Sequence, residues 1–179
     1  MKHIYVSLCL LMLTACAKTP DWDYDKSANF SNVKSFAWLP NASLTKDTTH
    51  YQISPLMEQR VQKAVNATLT TQGLQQVAIE QADVLINYHA SVDSKIEIDT
   101  FTTGYNARWD NWGFGIQNQT HTQNYEVGTL VIDVIDRGTN QLIWRGAKEG
   151  RLKKNQTPEQ RTLAIEKTVA TILANFPPK

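Results

Sequence analysis

Cysteine is nearly absent from this chain: Cys9 and Cys16 are the two among 179 residues. Both stand close to the N-terminus, so no disulfide framework holds the rest together, and stability must come from an apolar core. Excess charge of either sign is missing as well. Eighteen Lys and Arg stand against seventeen Asp and Glu. There is no basic cluster, which removes the electrostatic footprint that nucleic-acid binding needs. Long apolar runs are lacking too. The longest, Ile4–Leu13, is about half of the roughly 20 residues that a transmembrane helix takes.

Sites for chemistry are equally scarce. The chain has no Gly-rich phosphate loop, no Cys-pair metal site, no HExxH pair and no G-x-S-x-G elbow. Of four histidines, His3 stands just before the N-terminal apolar run and is expected to leave with the signal, and His50, His89 and His121 share no ligand spacing. His89 falls on the polar side of a long alternating segment, where an exposed side chain is the expectation. Asp21, Asp23 and Asp25 alternate as in a calcium loop. The glycine and the distal glutamate of that loop are missing, and Trp22 and Tyr24 fill the gaps. No metal and no cofactor is expected.

What is present begins with a secretory signal: Met1-Lys2-His3, the apolar run, then the small residues Thr14 and Ala15 before Cys16. Leu13-Thr14-Ala15-Cys16 resembles the lipobox of bacterial lipoproteins. In that class the cysteine thiol receives a diacylglycerol, cleavage falls just before it, and the new amino terminus is acylated. By the same resemblance, Ala17 rather than Asp after the cysteine implies delivery to the outer membrane. Residues 1–15 are therefore expected to be the signal peptide, and 16–20 the lipidated N-terminus and linker. Residues 21–179 are expected to form a single domain. Removing the first 15 of 179 residues leaves 164, and removing Lys2 with them leaves seventeen basic against seventeen acidic residues. Attachment to a membrane then falls to the lipid on Cys16.

Along the domain, Asp21–Asp25 alternates acidic and aromatic residues, a short strand showing Trp22 and Tyr24 on one side. Ser35–Leu39 reads as a strand stopped by Pro40. Ser54-Pro55 starts a helix whose apolar face is Met57, Val61, Ala64, Val65 and Leu69, with Gly73 as the stop. From Val84 to Ile98 every even position is apolar or small and nearly every odd one polar, Leu85 being the exception. That alternation predicts a strand with one buried and one wet face, long enough to bend or to project beyond the core. Thr129–Ile135 and Gln141–Ala147 flank a Gly-containing turn and read as a hairpin. Parity puts Leu130, Ile132, Val134, Leu142 and Trp144 toward the core, with Asp133 and Arg145 pairing diagonally on the other face. Val131, Ile135 and Ile143 share that second face and suggest a covered or partner-binding surface. Thr157-Pro158-Glu159-Gln160 opens the last helix with a capping box. Its stripe is Ile165, Val169, Ile172, Leu173 and Phe176. The expected architecture is α+β: an antiparallel β-sheet with two helices packed on one face, a two-layer sandwich.

The segment from Phe101 to Tyr125 is unusual, setting aromatics among Gly, Asn, Gln and Thr residues. It reads as a long hairpin connection, and Trp109, Trp112 and Phe114 are its candidate binding residues, able to stack on sugar rings, a peptide or lipid headgroups.

Two blocks together resemble a family of Gram-negative lipoproteins, domain of unknown function 4136. The first is Asp23-Tyr24-Asp25, Phe30 and Ser35-Phe36-Ala37-Trp38-Leu39-Pro40. The second is Gly128-Thr129-Leu130-Val131-Ile132-Asp133 with Leu142-Ile143-Trp144-Arg145-Gly146. The resemblance spans essentially the whole chain after the signal. It implies an envelope location and a fold, and it carries over no catalytic residue. The function expected is that of a non-enzymatic lipoprotein, anchored at the periplasmic face of the outer membrane through Cys16. Its partners would be the membrane and an envelope protein or glycan. The alternative is a periplasmic hydrolase using Asp133 or Asp136, with Glu149 a further carboxylate on the hairpin.

Overall fold

The computed structural model describes residues 21–40, 54–101 and 119–178, the side chains of 97–101 and 119–122 excepted. Six strands form one sheet: β1 (Asp21–Tyr24), β2 (Ser35–Trp38), β3 (Gln75–Gln76), β4 (Val84–Phe101), β5 (Gln119–Asp136) and β6 (Leu142–Arg151). Their order across the sheet is β1-β6-β5-β4-β2-β3. Two helices, α1 (Pro55–Thr71) and α2 (Pro158–Ile172), complete the α+β layering.

The helices start where the sequence says they should. The Ser54 hydroxyl accepts from the Met57 amide, and Pro55 takes the first turn. At α2, Thr157 and Gln160 form a reciprocal capping box. Gly73, at φ +93°, turns the chain out of α1 in a conformation that suits glycine. Arg60 reaches Thr162 at 3.2 Å and Gln72 reaches the Leu173 carbonyl at 2.8 Å. The first contact joins the starts of the helices and the second their ends, so α1 and α2 run parallel.

Between the layers lies the core. Val61, Val65 and Leu69 of α1 and Val169, Ile172 and Leu173 at the end of α2 meet the even positions of the sheet: Phe36, Val84, Ile86, Tyr88, Ile132 and Trp144. Tyr88 is buried there, and burial, with the Glu58 carboxylate beside it, pushes its phenol up to about 12. Leu85, the break in the alternation, is no error of patterning. It packs on the other face with Ala37 and Ala82 as a small second cluster under Ile79.

Three expectations need correction. The sheet is mixed: β4, β5, β6 and β1 are antiparallel, but β2 runs parallel to both β4 and β3. The crossover through α1 makes this possible, since a helix returns the chain to the end at which it started. Next, β5 begins at Gln119, ten residues before the expected Thr129. Its first eight residues are polar apart from Tyr125 and take their strand character from continuous pairing with β4 down to Phe101↔Gln119. Lastly, a register shift between Val134 and Ile135 sets Leu142 opposite Ile135. Leu142 is thereby left 44 % exposed, while Ile143, expected on the other face, joins the core.

Because β6 pairs with β5 only from Val127 onward, β4 and β5 continue past it as a two-stranded arm. Lys95 pairs with Glu149 at 3.0 Å, and the Arg151 guanidinium lies 4.3 Å from the Tyr125 ring centre. Both contacts brace the root of the arm.

The parallel join of β2 to β4 is held by Asp83. The Lys34 amide, the Ser35 amide and the Ser35 hydroxyl donate to its Oδ2 at 3.0, 2.9 and 2.7 Å. Chiefly through the Ser35 hydroxyl, then the Lys34 amide, the carboxyl is held below its ordinary range. Such a group contributes stability above its unfolded pKa of about 4 and loses it as the pH falls through the lower folded value. Ser35→Ala is expected to lower stability by about 1 kcal/mol at pH 7, the carboxylate being partly solvated. The deficit should shrink below about pH 4. Urea unfolding at pH 7 and pH 3 measures both, and an equal deficit at the two pH values contradicts this role.

Candidate functional site

The sheet face away from the helices carries a polar cluster where β4, β5 and β6 lie side by side. Asp133 and Arg145 stand directly opposite each other, not diagonally. The guanidinium donates in bidentate fashion, Nε to Oδ1 at 2.6 Å and Nη2 to Oδ2 at 2.8 Å. His89 brings its Nε2 to 3.3 Å from Oδ2, and Asn87 Nδ2 lies 3.2 Å from the same ring nitrogen. Asp133 is the buried polar residue of this face, covered by the half-exposed Arg145 and His89. Hydrogen bonding to Asp133 holds the Arg145 guanidinium above its ordinary range. His89 has an exposed side chain, as its position on the polar face predicts, and its contact with Asp133 was not foreseen.

This geometry bears on acid–base chemistry. Both oxygens of Asp133 are engaged by a permanent cation, which fixes the carboxylate as the structural partner of Arg145. Asp136 lies on the opposite side of β5 by parity. It accepts from the Thr139 amide and hydroxyl at 2.7 and 2.8 Å, and those bonds, the amide first, hold its carboxyl below the ordinary range. Glu149 pairs with Lys95. The three hairpin carboxylates therefore have separate structural partners. Among the described residues no group of three His, Cys, Asp or Glu side chains is placed to hold a metal ion.

A second feature lies on the helix side, at the root of the arm. Core-facing positions toward this end become small: Ala90 and Val92 on β4, Gly128 on β5, Gly150 on β6. A Cβ built on Gly150 meets nothing within 4 Å, and one on Gly128 meets only Leu152. The helices and the sheet consequently part, leaving a groove of about 620 Å³. Met57 and Val61 of α1, with Ala164 and Ile165 of α2, form its helical walls, and Ala90 and Leu130 its floor. Lys148, Lys153, Lys154 and Arg161 stand on its rim, with Glu126 among them.

In the sequence these cations are spread over the end of β6, the following loop and α2, and only Lys153 and Lys154 are adjacent. The fold collects them. Two signals hinted at the groove: small residues at core parity in three neighbouring strands, and the Arg151–Lys154 stretch between a strand and a helix.

Cys16, Trp109, Trp112 and Phe114 lie outside the described residues. No described helix is long and apolar enough to cross a membrane. Of the apolar residues expected on the open face, Val131 and Ile135 are half-buried there, Ile135 against the Leu85 cluster.

The model of a protein family, domain of unknown function DUF4136, matches residues 20–178. The chain belongs to this family. Among solved structures, it resembles a PDZ domain protein from Parabacteroides distasonis at 13% identity and a TM-score of 0.55. That match covers 89% of this chain and 35% of the other, so this DUF4136 chain spans about a third of that protein. A DUF4136 family protein from Bacteroides thetaiotaomicron matches at 17% identity over 88% of this chain and 95% of its own, with a TM-score of 0.47. A PelC dodecamer from Paraburkholderia phytofirmans matches at 11% identity over 87% and 95% of the two chains, with a TM-score of 0.49. The likeness to the first of these is one of fold. Among curated protein sequences none matches.

Proposed function

We propose that this DUF4136 chain is a non-enzymatic binding lipoprotein of the cell envelope, tethered through lipid on Cys16 to the periplasmic face of the outer membrane, with the groove beside α1 and α2 as its ligand site. The observation that carries the binding role is the groove itself: about 620 Å³, with an apolar floor and Lys148, Lys153, Lys154 and Arg161 in its lining, within the roughly 300–1,000 Å³ of ligand pockets. Support for the address is the signal segment and Leu13-Thr14-Ala15-Cys16. The runner-up, a hydrolase using Asp133 or Asp136, has less support, because Arg145 and Thr139 engage those carboxylates.

The test places a photoreactive benzoylphenylalanine at Ala164, in the groove, or at Ala170, exposed on α2 and outside the groove lining. Irradiation of intact cells should give a discrete adduct with an envelope component from position 164 and none from 170. Adducts that are equal at both positions, or absent at 164, contradict the groove as the binding site.

A further inference from the structure

The groove is built asymmetrically, and the asymmetry indicates what enters it. Its cations, which outnumber the lining carboxylates Glu126 and Glu149, come from one side: Lys148 on β6, Lys153 and Lys154 in the loop after it, Arg161 in the first turns of α2. From the other side, α1 and β4 contribute Met57, Val61, Ala90 and Val92, with Ser91 the one polar lining residue of these two elements. Val61 and Leu130 are core residues whose edges reach the groove surface. A ligand polar along its whole length, such as a glycan or nucleotide, would press hydroxyls against Met57, Val61, Ala90, Val92 and Leu130, a desolvation loss that Ser91, Thr129 and Thr168 offset only in part. A wholly apolar ligand would gain nothing from the lysines. A molecule with an acyl chain at one end and an anionic head at the other meets both sides at once.

We propose that the groove takes a single-chain anionic amphiphile of the fatty-acid class, its chain on Ala90, Val92 and Leu130 and its carboxylate among Lys148, Lys153 and Lys154. This rests on the groove being the ligand site. The lysines make charge-assisted hydrogen bonds to the head, and the chain leaves water along the apolar wall. Leu152, seated over Gly128 and 41 % exposed, caps the wall at the end from which the cations come.

Two fluorescent probes separate the class of ligand from the site. The full-length Cys16→Ser chain is titrated with dansyl-undecanoic acid, which is anionic, and with N-phenyl-1-naphthylamine, which is neutral. Saturable binding of the acid is expected. It should weaken about tenfold in Lys148→Ala plus Lys153→Ala plus Lys154→Ala, as loss of charge-assisted bonds implies. The neutral probe should bind both chains alike. Ala164→Trp fills the groove from an exposed helix position and should abolish binding of both probes, with the circular dichroism spectrum unchanged. If the triple variant binds the acid as well as the parent does, the anionic class is wrong while the groove remains a binding site. If neither probe binds the parent, both readings fall. Binding by the Cys16→Ser chain that vanishes in the lipidated chain in nanodiscs would assign the groove to the protein's own acyl chain and overturn the proposal. So would a dimer that Ala164→Trp dissolves.

Discussion

Trp144→Ala is expected to destabilise the domain by about 3–5 kcal/mol. The ring is fully buried, its centre 5.3 Å from that of Phe176, and it lies flat over Gly146. A Cβ on Gly146 would stand 2.3 Å from Cη2 of Trp144 and 2.8 Å from Cγ2 of Ile172. The glycine is there so that the indole can cross the strand beneath α2. Removing the indole opens a cavity bounded by Phe176, Ile172 and the bare Gly146 backbone, where collapse is hindered by the sheet. For a domain of this size each kcal/mol moves the unfolding midpoint by about 2–4 °C, so a fall of roughly 10 °C is the expected reading by circular dichroism. Gly146→Ala is also expected to destabilise, by about 1–3 kcal/mol, through overpacking against the ring. In the Trp144→Ala background the clash with the ring is gone and only that with the Ile172 methyl remains, so the two losses should be non-additive. Simple additivity would mean that the ring does not rest on Gly146.

The same pair of residues shows how much of the fold could be read directly. Trp144 was placed in the core by strand parity alone, and its partner stripes on α1 and α2 followed from helical spacing with caps at Ser54 and Thr157. Those signals are local, and local signals survive folding. What escaped depends on distant segments meeting. The parallel join of β2 to β4 is set by Asp83 binding residues some 48 positions earlier, and no periodicity encodes that. The polar half of β5 has no alternation of its own and is a strand because β4 lies beside it. The shift at Val134/Ile135 exchanges the fates of Leu142 and Ile143, a change of one residue that reverses side-chain faces.

The candidate site was less legible still. Trp109, Trp112 and Phe114 stood out by composition and lie outside the described residues, so the structure neither places them together nor separates them. The groove stood out only after folding. Ala90, Gly128 and Gly150 are unremarkable until three strands bring them into register, and Lys148, the Lys153-Lys154 pair and Arg161 belong to three different elements until the fold sets them around one groove. Asp133 is the converse case. It was a plausible catalytic carboxylate by type, and its cross-strand register with Arg145 gives it a structural partner instead.

Cys16→Ser is expected to have the largest effect on where the protein resides. With equal numbers of basic and acidic residues after residue 15, the domain has little electrostatic hold on an anionic surface. One acyl chain gives only marginal, reversible attachment, and each buried methylene adds about 0.8 kcal/mol. A diacylglycerol on the thiol together with an acyl group on the new amino terminus would make attachment stable. Loss of the thiol removes the first of these, and the precursor should then stay uncleaved at this position. The most direct measurement is metabolic labelling with an alkyne-bearing palmitate, followed by isolation of the chain from cells making either form. A tethered envelope protein predicts label on the wild-type chain and none on Cys16→Ser, whereas label retained by Cys16→Ser, or absent from the wild type, would contradict it.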